Sequence, residues 1–112
     1  MAAIAAALIF FRAGSPLAGK SATKTHVVKI QGMTFTPPRL QISPGDSVTW
    51  TNDDIVPHAV KSTGVKNAWE SKPLLPHDSW TKVFNEDAAY LCPYHPVMTG
   101  EITLGKAPAL GN

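Results

Sequence analysis

The chain of 112 residues contains one cysteine, Cys92, so no disulfide can form within it. Charge is scarce and nearly balanced: ten basic side chains stand against eight acidic ones, nine against eight once Arg12 near the N-terminus is set aside. No basic stripe exists to neutralise phosphates, which excludes a nucleic-acid partner. Long apolar runs are missing as well. The run Ala2 to Phe11 is about half of the roughly 20 residues that a helix needs to cross a bilayer, so no membrane span is expected. Sustained helical periodicity, internal repeats and low-complexity tracts are also lacking.

What is present begins with that short run. Small residues Ala18 and Gly19 follow it, and Gly14, Ser15 and Pro16 cut it off from the rest. It reads as a secretory leader over residues 1–19, with a linker over 20–26, one folded domain over 27–105 and a tail over 106–112. An exported, periplasmic protein and a monomer are expected. A lone thiol in an oxidising compartment is a liability that a bound metal removes.

From Thr25 onward, apolar and polar residues alternate in short segments separated by turn residues. "THVVKIQG" alternates, and "MTFTPPRLQI" places Met33 and Phe35 on one face before Pro37 and Pro38 break the pattern. The turn Pro44-Gly45-Asp46 precedes a strand that carries Val48 and Trp50 inward. "SWTKVF" pairs Trp80 with Phe84 at alternate positions, and "GEITLG" puts Ile102 and Leu104 on one face. Six or seven short strands predict an all-β, antiparallel Greek-key β-sandwich or barrel. "GVKNAWES", Gly64 to Ser71, is the one stretch with room for a turn of helix.

The segment "YLCPYHPVMTG" holds Cys92, His95 and Met98 at C-x2-H-x2-M spacing, stiffened by Pro93 and Pro96. Three soft or borderline donors can converge on one point. His58, in "DDIVPHAV", lies 34 residues before Cys92 at the start of another strand, and in a sandwich the two segments can meet at one pole. Two imidazoles and a thiolate with a weak axial thioether form the ligand set of a blue-copper centre. Singly, each residue is ordinary: cysteine and methionine fill cores and most histidines are structural. His77, between a proline and an aspartate, reads as an exposed turn, and His26 as the edge of the first strand. Zinc held by one cysteine and two histidines remains open, although the Irving–Williams order favours copper.

From about Val27 to Leu104 the chain resembles the cupredoxins. The matching stretches are "PGDSVTWTN", "VPHAV" and "YLCPYHPVMTGEITL", and the ligand loop is similar to the short loop of the amicyanin type. The resemblance implies a Greek-key β-sandwich, one copper ion, His58, Cys92 and His95 as equatorial ligands and Met98 as the axial one. Family members usually carry an asparagine after the first histidine, tied to a hydroxyl residue after the cysteine. Here those positions are Ala59 and Pro93. Tyr94 stands where the amicyanin type has proline and returns an N–H to the loop, expected to point at the cysteine sulfur.

The implied function is one-electron transport between redox proteins such as cytochromes, dehydrogenases or oxidases. They would dock on an apolar rim of Pro57, Pro93, Tyr94, Pro96 and Val97 around His95. The alternative is a copper-binding protein for tolerance or delivery. Enzymatic use of Cys92 and His95 as nucleophile and base is disfavoured, because no oxyanion-stabilising stretch accompanies them, and four histidines are too few for a multicopper oxidase.

Overall fold

The structure, a computed structural model, describes residues 23–105. The expected leader and C-terminal tail lie outside the described residues, as does the first part of the linker. The strands are β1 (Thr25–Gln31), β2 (Thr34–Thr36), β3 (Arg39–Ile42), β4 (Ser47–Asn52), β5 (Lys61–Ser62), β6 (Ser79–Val83), β7 (Ala88–Cys92) and β8 (His95–Leu104). They form two four-stranded sheets, ordered β2-β1-β4-β6 and β3-β8-β7-β5. The all-β sandwich expected from the alternation is therefore the fold.

The sheets are mixed rather than purely antiparallel, since β1 runs parallel to β4 and β3 parallel to β8. The cause is the Pro37-Pro38 break. Two consecutive residues without an N–H end the β2 ladder, and the chain crosses to the other sheet before β3 begins. Alternation then buries one face of each strand: Val28 and Ile30 from β1, Val48 and Trp50 from β4, Tyr90 and Cys92 from β7, Met98 and Ile102 from β8.

Two local expectations change. Met33 does not join Phe35 inside: its φ of 62° puts it in a left-handed turn after Gly32, and it stays 41% exposed while Phe35 is buried. Gly64 to Ser71 holds no helix. Trp69 exchanges hydrogen bonds with Ser62 on β5 (its N–H to Oγ and its carbonyl from the Ser62 N–H, both 2.9 Å), which takes the backbone groups a helix would use. The first strand begins at Thr25, where the alternation of "THVVKIQG" starts.

Asp46 anchors that start. Its buried carboxylate accepts from the His26 ring (2.9 Å) and from the N–H groups of Lys24 (2.9 Å) and Ser43 (3.1 Å), tying the beginnings of β1 and β4 to the end of β3. The His26 bond, followed by those two N–H groups, holds the carboxyl at about 2 against an ordinary 3.8. On the outer face of the β2-β1-β4-β6 sheet, hydroxyls pair across strands: Thr25 with Ser47 (3.0 Å), Thr49 with Thr81 (2.7 Å) and Thr51 with Ser79 (3.0 Å).

A depressed folded-state pKa contributes stability above the ordinary carboxylate pKa and loses it as pH falls toward the folded value. Asp46→Asn should therefore destabilise the protein at neutral pH and flatten the loss of stability between pH 3.8 and about 2, read by denaturant titration at a series of pH values. Gly100 gives a second check. It faces Tyr90 across β7 and β8, and an added Cβ would overlap the Tyr90 ring. Gly100→Ala should cost about 1–3 kcal/mol of stability, as overpacking typically does.

Candidate metal centre

Cys92 ends β7 and His95 opens β8, paired across the two-residue turn Pro93-Tyr94. The strand alternation that buries Tyr90 carries Cys92 to the same inward face, where it is wholly buried. His58 arrives from the opposite side. Its backbone exchanges two hydrogen bonds with Leu74 (3.0 and 2.7 Å), so the histidine is clamped before its side chain is considered. Nδ1 of His58 lies 3.7 Å from the Cys92 sulfur and Nδ1 of His95 lies 3.9 Å from it. The three donor atoms fall within 4.8 Å of one another.

That triangle has the size of a metal site. With metal–sulfur and metal–nitrogen bonds of about 2.3 and about 2.0 Å, a trigonal arrangement separates sulfur from nitrogen by about 3.7 Å. Met98, on the inward face of β8, is 3% exposed and belongs to the same buried cluster as Cys92. The structure thus brings three of the four expected residues together, two imidazoles and a thiol in mutual reach, and buries Met98 in the same core.

Asp54, which the sequence reading passed over, fixes the histidine that is least exposed. Its carboxylate takes a hydrogen bond from His58 Nε2 (2.8 Å) and from the N–H groups of Gly32 (2.8 Å) and Met33 (3.0 Å). With the proton on Nε2, the lone pair of Nδ1 is left facing the sulfur. Burial pushes the Asp54 carboxyl up, but the N–H groups of Met33 and Gly32 and the His58 ring outweigh it and hold it below the usual carboxylate range. Asn52, fully buried, steadies the same loop: its amide donates to the carbonyls of Val56 and Leu74 (both 2.8 Å), and its Oδ1 accepts from the Asp54 N–H (2.9 Å). A carboxylate four residues before a candidate metal histidine was the available signal for Asp54.

Among the described residues, the sulfur's partners within hydrogen-bonding range are the two histidine rings, and the expected bond from the Tyr94 N–H is not among them. His77 occupies an exposed turn with φ 77°, and His26 is held by Asp46 at the other end of the sandwich; neither joins the cluster. His95 is half-buried beneath an opening lined by Val56, Pro57, Pro73, Leu75 and Tyr94; of the expected rim, Pro57 and Tyr94 line it and Pro93, Pro96 and Val97 do not. Pro73 and Leu75 come from a connection whose place at this pole the alternation pattern could not show.

Comparison with known proteins agrees with this geometry. Residues 22–105 match the family described as copper binding proteins, plastocyanin/azurin family. Amicyanin-alpha of Methylorubrum extorquens is 32% identical over 114 residues, covering 91% of this chain and 96% of the relative. Amicyanin of Paracoccus versutus is 30% identical over 81 residues, covering 68% and 61%. Among solved structures, a purple cupredoxin from Nitrosopumilus maritimus superposes with a TM-score of 0.66 at 32% identity, covering 71% of this chain and 99% of that one. A reduced amicyanin variant gives 0.68 at 28%, covering 72% and 82%. With its fold, its His-Cys-His cluster and this match over most of its length, the chain belongs to the copper-binding plastocyanin/azurin family, the cupredoxins.

Proposed function

We propose that this protein is an exported, monomeric one-electron carrier in which His58, Cys92 and His95, with Met98, would hold one copper ion. The observation that carries the reading is the triangle of Cys92 sulfur and two Nδ1 atoms at 3.7 and 3.9 Å. Copper supplies one-electron redox chemistry in such a donor set, since thiolate and thioether suit the cuprous ion and imidazole suits both oxidation states. The chain's own residues do the rest. Asp54 holds the His58 tautomer, the Leu74 pairing holds its backbone, and the full burial of Cys92 keeps water from the thiolate.

His95 is the ligand that reaches the surface, so electrons would enter and leave there. The apolar surround of Val56, Pro57, Pro73, Leu75 and Tyr94 suits brief encounters with redox proteins of the cytochrome, dehydrogenase or oxidase kind. A nucleophilic role for Cys92 is opposed by its burial, which leaves no approach for a substrate. Copper delivery is opposed by the scaffold of Asn52, Asp54 and Leu74, because a site meant for ready exchange gains nothing from a histidine fixed at backbone and ring alike. No helix among the described residues is long and apolar enough to cross a membrane.

Addition of Cu(II) to the metal-free protein should produce an intense visible thiolate-to-copper band. Cys92→Ser should abolish it, and His77→Ala and His26→Ala should leave it; loss of the band on changing His77 would overturn the ligand assignment. Asp54→Ala frees the His58 ring and should lower copper affinity about 10–100-fold, the usual effect of removing a histidine's outer partner, measured by competition with a chelator.

A further inference from the structure

A contiguous set of aromatic rings runs from the metal pole to one flank of the sandwich. Tyr90 shares the inward face of β7 with Cys92. Its ring meets that of Trp50 at 5.3 Å and 84°, Trp50 meets Trp80 at 5.8 Å and Trp69 at 6.0 Å, and Trp69 stacks on Trp80 at 5.9 Å and 28°. Tyr90 and Trp50 are buried completely, whereas Trp69 and Trp80 are half-buried where the edge strands β5 and β6 leave the sandwich open. Packing alone asks for apolar volume there. It does not ask for three indoles, the ring types that give up an electron most readily, in unbroken succession.

Tunnelling falls off exponentially with the gap between donor and acceptor, and adjacent π systems divide one long gap into several short ones. We propose that Trp80, Trp69, Trp50 and Tyr90 form a second electron path. Through it, the reduced copper centre refills an electron taken from the flank by a strong one-electron oxidant, such as an oxygen-derived radical. The proposal rests on the copper reading above. Its balance is simple: the oxidant gains one electron from a flank indole, the centre gives one electron back and passes from Cu(I) to Cu(II), and no bond is made or broken. A proton that a flank indole releases to water returns when the electron does.

The interior of the path is built so that charge does not lodge there. Trp50 Nε1 and Tyr90 Oη are both buried and make no hydrogen bond of ordinary geometry, so no proton relay leads from them to water. Burial pushes the phenol up to about 12, only tempered by the neighbouring Trp50 indole. Tyr90 therefore acts as a bridge that keeps its proton. At the surface, Lys82 Nζ lies 5.6 Å from the Trp69 ring centre and 5.2 Å from that of Phe84. Its charge disfavours a radical cation on Trp69 and biases the vacancy toward Trp80 and Trp50. The path runs one way, because Cu(II) in such a centre is too weak an oxidant to take an electron from indole.

Pulse radiolysis with azide radicals, which attack indoles preferentially, tests this on the Cu(I) protein and on the metal-free protein. In the Cu(I) protein the tryptophan-radical absorbance should decay in a phase independent of protein concentration, matched by a rise of the thiolate–Cu(II) band. In the metal-free protein the radical should persist well beyond that phase. Trp50→Phe should slow the phase many-fold. Lys82→Met, which leaves the core alone, should lengthen the decay without moving the visible band. An unchanged phase in Trp50→Phe protein with a normal band would overturn the path alone, as would a Cu(II) rise that scales with protein concentration. A protein with no visible band on copper addition would fail the copper reading and the path together.

Discussion

The metal pole depends on Asn52. This buried amide uses both of its polar atoms on the backbone of two separate segments, Asp54 and Val56 on one side and Leu74 on the other. Its main chain adds hydrogen bonds from its N–H to Asp78 and from the His77 N–H to its carbonyl. Loss of such a side chain leaves several buried groups without partners, each costing roughly 1–3 kcal/mol. Family members commonly brace the site through an asparagine after the first histidine. With Ala59 and Pro93 in those positions, this chain braces it from six residues before His58 instead.

Much of this was legible in the sequence, and the reasons differ by residue. Strand alternation reports which face a residue takes, so Val48, Trp50, Ile102 and the sharing of one face by Tyr90 and Cys92 could be read directly. The C-x2-H-x2-M spacing is local, and His58 stood out by its chemistry. Alternation says nothing of strand direction across a sheet, hence the parallel pairing of β1 with β4 went unread. It also fails where the backbone leaves the extended region, which is why Met33 at φ 62° fell on the wrong face. Asp54 and Leu75 act through contacts that only the assembled fold creates; in the sequence they are one acidic residue among eight and one leucine in a loop.

The aromatic core has a second cost that the fold accepts. Trp50 and Tyr90 carry polar atoms into the interior and leave them without a hydrogen bond of ordinary geometry, although native interiors seldom do so. Phenylalanine would fill much of the same space with no polar atom to bury. The retention of indole and phenol beside the metal pole is therefore better matched to their electronic character than to their shape.

β4 separates the two polar knots of the molecule. Asp46 stands just before its first residue and Asn52 is its last, which at about 3.3 Å per residue sets them roughly 20 Å apart. Energetic effects of changes at such a distance, with no shared partners, generally add. The share of acid resistance that Asp46 supplies is thus separate from the character of the redox centre, whereas the share from Asp54 is bound to it. Drift or engineering can adjust the Asp46 share for a harsher compartment without retuning the centre.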